Sequence, residues 1–277
     1  VIIWQDQHTT LFKSALYETI SSVVLTEDCI LVVDPCWLPH EVEEIKNHVE
    51  LNRENRPLYL LFTHSDYDHI IGYKAFSDDA IVVASEAFSS KSRAEKDSVV
   101  EQIKEFDDEY YITRNYEIEY PKVDIPIAAE GTVITIGKTI LAFFEAHGHT
   151  NDGIFTVIEP LGVLLAGDYL SDIEFPFIYD DSIQYEKTIR KLDYILEHYD
   201  IRLLVTGHGN PTNAILDMKK RQKEALDYIQ RMRKFIIEGD QDGLKQLIMG
   251  CKFPRNLQKC HQYNVSQIQR ELKHTLS

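Results

Sequence analysis

Residues 64–69 read His-Ser-Asp-Tyr-Asp-His. Imidazole nitrogen and carboxylate oxygen are donors that divalent cations take, and His64, Asp66, Asp68 and His69 place four of them in six positions. A tight loop of this kind can present alternate side chains to two neighbouring ions. Any one of these residues alone reads as a helix cap or a surface group. Their density, directly after the apolar run 58–62, favours a metal site over that plainer reading. Three further candidates stand beside glycine: His149 in His147-Gly148-His149-Thr150, Asp168 after Gly167, and His208 between Gly207 and Gly209. Glycine frees the backbone to turn sharply, and each of the three follows a strand-like run, where a loop can face a cleft while its strand stays buried.

The elements that must position these residues follow from periodicity. Residues 14–25 are rich in β-formers, 27–28 form a turn, and the apolar run 29–33 ends at Asp34-Pro35, a hairpin-like start. Helical spacing over 39–51 puts Val42, Ile45 and Val49 on one face. After the buried strand 58–62 and the ligand-rich loop, a helix through 76 and a strand at 80–84 are predicted. The charged stretch 86–110 reads as a surface helix or an insertion covering the cleft edge. Strands follow at 122–127, 132–136 and 139–146, with Gly131 and Gly137 as turn residues, and 153–158 with 163–166 flank the hairpin turn Glu159-Pro160-Leu161-Gly162. A helix over 182–199 leads to the apolar run 201–205. Helices near 212–238, 241–249 and 263–276 complete a tail that, with no flexible linker before it, packs against the main domain.

Composition bounds the function. The 277 residues, 44% hydrophobic, suffice for one large domain or a domain with a small appendage. With 45 acidic against 29 basic residues the formal charge is -16, which repels an extended polyanion and argues against nucleic acid as partner. Acidity is also ordinary among cytosolic proteins. The cysteines at 29, 36, 251 and 260 form no CxxC pair and read as ordinary thiols of a reducing compartment, with a single Cys29/Cys36 or Cys251/Cys260 bridge left open. There is no apolar run of about 18 residues and no basic-then-apolar leader after Val1, so a cytoplasmic, membrane-free protein is expected, although a leader could have been trimmed.

The order of these motifs resembles the metallo-β-lactamase superfamily, whose pattern is His-x-His-x-Asp-His, then Gly-His-Thr, Gly-Asp and Gly-His-Gly, here over residues 14–212. The resemblance implies an α/β fold, a four-layer αββα sandwich over 1–212 with a helical C-terminal extension over 213–277. It implies two divalent metal ions, one on His64, Asp66 and His149, the other on Asp68, His69 and His208, with Asp168 bridging them and Asp68 also steering a proton. Two ions about 3.5–4 Å apart lower the pKa of a shared water and polarise the electrophile it attacks. One departure is Asp66, where the family's second histidine stands. Its harder oxygen favours iron or manganese more than three histidines would, with zinc still the first expectation. The short side chain could also fall shy of its metal and leave only the second site working. A carboxylate there, usually glutamate, marks the flavodiiron branch.

His147 stands where relatives commonly carry proline. His149 is favoured as the ligand, leaving His147 behind it or facing substrate. Tyr169 is a candidate donor to a developing oxyanion, and Asp172 could reach the substrate. Phe175, Pro176, Phe177 and Tyr179 could wall a pocket, although packing is the commoner fate of such a cluster. His8, His40, His48, His198, His261 and His274 are expected on the surface.

The leading expectation is a hydrolase in which a metal-bound hydroxide attacks an ester, thioester, lactone, amide or phosphodiester bond of a small-molecule substrate. The helical C-terminal region, shared with glyoxalase II-like thioesterases, tilts this toward small acyl substrates. The alternative is an iron-dependent oxidoreductase related to flavodiiron or persulfide dioxygenase proteins, although nothing after His208 resembles a flavin-binding domain. A metal-binding sensor without turnover comes third, and the nuclease branch last. A homodimer is left open.

Overall fold

The structure, a computed structural model, describes residues 1–76 and 78–275, without the side chains of 274 and 275. Alternation along the strands sorts their residues to opposite faces, and β4 (Ile30–Val33) shows how. Leu31 and Val33 point inward, into one apolar layer with Leu141, Phe143 and Leu165. Ile30 and Val32 point outward onto Val42, Ile45 and Val49 of helix α1 (Pro39–Arg53). A strand buried on both faces must be apolar throughout, which is why 29–33 and 58–62 read as unbroken runs.

Seven strands make the first sheet, in the order β1 (Ile2–Gln5), β2 (Thr9–Lys13), β3 (Ile20–Leu25), β4, β5 (Leu58–Leu61), β6 (Ala80–Ser85) and β7 (Ile125–Ile127). Neighbours run antiparallel as far as β4 and parallel beyond it. The second sheet has five strands, β8 (Val133–Ile136), β9 (Thr139–Glu145), β10 (Ile154–Glu159), β11 (Val163–Leu165) and β12 (Leu203–Val205), hydrogen-bonded in sequence order. Only its β11–β12 pair is parallel.

Inward residues of both sheets share one core. Outside the first sheet lie α1, α2 (Tyr67–Ile70), α3 (Glu86–Ser90) and α4 (Arg93–Glu109). Outside the second lie α5 (Ser182–His198), α6 (Ile215–Glu238), α7 (Gln241–Gln246) and α8 (Pro254–Thr275), which contribute Ile189, Ile229, Leu244 and Ile268 to a common cluster with Phe155 and Leu164. Helix, sheet, sheet, helix is the αββα sandwich expected.

The differences from expectation are local. Region 86–110 is helical and largely exposed, in line with the surface-helix alternative, but it forms two helices and is anchored in the outer layer by the fully buried Ile103 and by the Phe106 ring 4.5 Å from that of Trp37. The helix after the ligand loop stops at Ile70, and only a 3-10 turn, Tyr73–Ala75, follows. Helix α8 begins nine residues ahead of the expected start at 263; the end expected at 276 lies outside the described residues. Its buried face is Leu257, His261, Asn264 and Ile268, at helical spacing, and within the missed segment the polar His261 breaks the apolar pattern that signals a helix.

This architecture brings five strand ends to one mouth. Parallel pairing of β4 with β5 sets Asp34 beside Thr63, and Asp34 N donates to the Leu61 carbonyl. Pairing of β11 with β12 sets 167–168 beside 206–208, with Gly207 N donating to the Gly167 carbonyl at 2.6 Å. The sheets are tied at the same level, where Ile154 N donates to the Thr63 carbonyl at 2.9 Å.

Candidate metal centre

All seven residues singled out as ligands meet at this mouth. Donor atoms of His64, Asp66, His149 and Asp168 lie within 4.8 Å of one another, and those of Asp68, His69 and His208 form a second such group. Asp168 sits between them. Its Oδ1 is 3.1 Å from His69 Nε2, and its Oδ2 is 3.3 Å from both His149 Nε2 and His208 Nε2 and 3.7 Å from His64 Nε2. Asp66 does reach the first group, its Oδ2 3.2 Å from His149 Nε2 and 3.8 Å from His64 Nε2. Asp68 Oδ2 lies 3.5 Å from His208 Nε2 and 3.9 Å from His69 Nε2.

Each ring is aimed by its other nitrogen. His149 Nδ1 donates to the Phe177 carbonyl at 2.8 Å and His208 Nδ1 to the Tyr17 carbonyl at 2.9 Å. His69 Nδ1 donates to Asp34 Oδ2 at 3.0 Å. His64 Nδ1 lies 3.0 Å from the Thr63 hydroxyl, whose own proton goes to Asp34 Oδ2 at 2.5 Å. With Nδ1–H engaged, each ring in its neutral form presents the Nε2 lone pair toward the mouth, the arrangement in which outer hydrogen bonds fix a metal-binding histidine.

Glycines make room for this packing. A Cβ on Gly207 would stand 2.1 Å from Asp168 Oδ1, and one on Gly148 (φ +120°) 2.2 Å from Tyr185 N.

The site fits cations by two tests. Nε2 of His64, His69 and His149 and Oδ1 of Asp168 are buried with no hydrogen-bond partner, although buried polar atoms are nearly always paired. The charge balance points the same way. Burial would raise the Asp66 carboxyl, but the adjoining His149 outweighs it and holds Asp66 at about 2. Burial also opposes charge on Asp168, yet His208, His69 and His64 around it hold it well below the carboxylate range. Burial would lower His208, but Asp168 and Glu174 push it up to about 10, and carboxylates likewise lift His69 and His149 well above the ordinary value. His64, by contrast, is pushed down by burial and by His69. These carboxylates demand positive charge, which divalent cations on the orphaned atoms would supply.

The mouth opens through a cleft of about 120 Å³, rimmed by Tyr17, Tyr67 and Tyr179. Asp168, Glu174 and Phe177 also line a larger neighbouring cleft of about 510 Å³ against α6. Glu174, whose carboxyl burial pushes up to about 7, thus stands in the wall between the two. Phe175 and Phe177 both wall a cleft and pack, Phe175 stacking on Tyr228 at 4.7 Å.

The expectation of an oxyanion donor at Tyr169 is corrected. Its hydroxyl is buried, donates to the Ala146 carbonyl at 2.9 Å and accepts from His149 N at 2.9 Å, so its proton is spent inside the protein. Asp172 is likewise engaged, by Asn210 N and Nδ2, each at 2.8 Å. His147 stays outside both ligand groups, its carbonyl accepting from the Thr188 hydroxyl. His40 and His198 are exposed and His8 and His48 half-buried, whereas His261 is buried on the Tyr228 hydroxyl, contrary to its surface placement; the His274 side chain lies outside the described residues. Sequence reasoning passed over Asp34, read only as the end of the apolar run 29–33. Its signal was the one the ligands share, a polar residue ending an apolar strand.

The family model for the metallo-beta-lactamase superfamily matches residues 18–208, and the chain belongs to that superfamily. Among solved structures, a metallo-beta-lactamase family protein from Thermus thermophilus is 19% identical over 96% of this chain and 94% of its own, with a TM-score of 0.67. A stereoselective inverting sec-alkylsulfatase from Pseudomonas sp. is 12% identical over 86% of this chain but 43% of its own, at 0.66. ETHE1 from Myxococcus xanthus is 15% identical over 78% of this chain and 84% of its own, at 0.54. Likeness at these identities is one of fold. The search of curated proteins finds no match. Among the described residues no helix is long and apolar enough to cross a membrane.

Proposed function

We propose that this chain is a metal-dependent hydrolase that cleaves an ester, thioester, lactone or phosphodiester bond of a small molecule. The observation that carries the reading is the convergence of seven donor side chains in two groups around Asp168, with the buried Nε2 of His64, His69 and His149 left without a hydrogen-bond partner among the described residues. His64, Asp66 and His149 would hold one divalent ion, Asp68, His69 and His208 the other, and Asp168 both. Bound there, the pair would activate a water and polarise the bond it attacks. The protein's own part is to hold the rings from behind, to set Asp168 between the two groups, and to offer Asp68 as a proton acceptor at the mouth. Clefts of about 120 and 510 Å³ suit a small organic substrate, and the charge of -16 disfavours a nucleic acid. The four cysteines are free, which fits a reducing, cytoplasmic setting.

The alternative, iron-dependent oxidoreduction, is favoured by one observation, the Asp66 oxygen in the first group, a harder donor than imidazole. One experiment separates the two. Protein loaded with zinc, manganese or iron is assayed on a panel of lactones, thioesters and phosphodiesters, with Asp68→Ala and Asp168→Ala as controls. Hydrolysis lost in both controls supports the proposal. No hydrolysis above the controls, together with oxygen uptake by the iron form on a persulfide donor, overturns it in favour of oxidoreduction.

A further inference from the structure

Helix α8 reaches the centre from its side, with Asn256 and Cys260 lining the mouth cleft. Asn264, Gln267 and Glu271 recur on it at i, i+3 and i+7, a single helical face, and all three grip the chain over 176–182. Asn264 is fully buried. Its Oδ1 accepts from Ile178 N at 2.9 Å, and its Nδ2 donates to the Pro176 carbonyl at 2.6 Å and to the Tyr228 hydroxyl at 3.1 Å. Gln267 Nε2 donates to the Asp180 carbonyl at 2.6 Å and to Glu271 Oε1 at 3.1 Å. Glu271 accepts from Ser182 N at 2.9 Å and from the Ser182 hydroxyl.

The segment so gripped is the one that holds His149. Its Phe177 carbonyl takes the His149 Nδ1 proton at 2.8 Å, Tyr179 N donates to the His149 carbonyl at 3.0 Å, and Asp180 N to the Gly148 carbonyl at 3.2 Å. The two backbone groups that Asn264 holds, on Pro176 and Ile178, flank Phe177 on either side. The second ligand group has other supports, Asp34 behind His69 and the Tyr17 carbonyl behind His208.

We infer that Asn264 is a positioning residue for His149: the Asn264–Gln267–Glu271 face of α8 fixes the Phe177 carbonyl and, through it, the aim of one ligand group and not the other. This rests on the metal reading above. Groups that orient a ligating histidine typically change metal affinity about 10–100-fold when removed. A C-terminal helix remote in sequence from every ligand would thus set how firmly the Asp66-containing group holds its ion.

The test uses the full-length protein, Asn264→Ala and the milder Gln267→Ala, stripped of metal and titrated with zinc against a chelator. Wild type should bind two ions. Asn264→Ala should weaken one class about tenfold or more and leave the other unchanged, with Gln267→Ala shifting the same class less. In metal-free protein, proton NMR should show the His149 Nδ1 proton exchanging with solvent about tenfold faster in Asn264→Ala, those of His69 and His208 being unaffected. Equal weakening of both classes, or unchanged binding and unchanged His149 exchange, overturns the inference. If Asn264→Ala does not fold, Gln267→Ala gives both readouts. Wild type binding fewer than two ions overturns the metal reading, while the exchange arm still judges the clasp.

Discussion

Replacing Asp34 by asparagine removes charge and one acceptor while keeping shape, so its effect can be worked from the geometry. Asp34 Oδ1 accepts from Thr63 N at 2.9 Å, and asparagine's carbonyl can keep that bond. Oδ2 accepts two protons, from the Thr63 hydroxyl at 2.5 Å and from His69 Nδ1 at 3.0 Å. An NH2 group in its place would face two donors. The hydroxyl can rotate away, but the buried His69 N–H cannot, and hydrogen bonds to charged groups contribute about 1.5–3 kcal/mol each. We expect Asp34→Asn to cost about 3 kcal/mol of folding stability in the metal-free protein, measured by urea unfolding. Because His69 loses its brace directly and His64 loses it through Thr63, both metal classes should weaken about 10–100-fold in a chelator competition. A variant with wild-type stability and wild-type zinc affinity in both classes would refute the reasoning.

Three further outcomes follow from particular contacts. Gly207→Ala places a methyl 2.1 Å from Asp168 Oδ1 in the unrelaxed backbone, so the variant should lose at least one of two bound metal ions by elemental analysis; retention of both would show that the strand end yields. Tyr169→Phe removes two internal hydrogen bonds and should lower stability by about 1–2 kcal/mol with less than a tenfold fall in kcat/KM, whereas a kcat loss of a hundredfold at unchanged stability would restore the oxyanion role. Burial lowers the folded pKa of His261 below its ordinary 6.5, so the unfolded chain takes up that proton first. Stability should therefore be intact above about pH 7 and fall as pH drops through 6.5 and below, less steeply in His261→Gln by urea midpoints at each pH; identical slopes would exclude His261 as a cause.

The pattern of types and spacings in the chain pointed to apolar strands ending in histidine or carboxylate and to the seven side chains that folding gathers at one mouth, while the family frame came from the resemblance of the motif order; buried strands must be apolar, and the side chains suited to a metal are histidine and carboxylate. These constraints act locally and leave a linear trace. What folding alone decided is relational. Asp34 became a brace for two histidines because β4 runs parallel to β5. Tyr169 lost its reactive prospect because the Ala146 carbonyl lies within reach of its hydroxyl. The first nine residues of helix α8 escaped notice because their buried face carries His261 beside a lone Leu257, and a buried polar residue is stable only with partners, here the Tyr228 hydroxyl, supplied from elsewhere in the chain. Hydrogen-bond partners distant in sequence have no periodicity, and so only the assembled tertiary structure shows which polar groups serve the site.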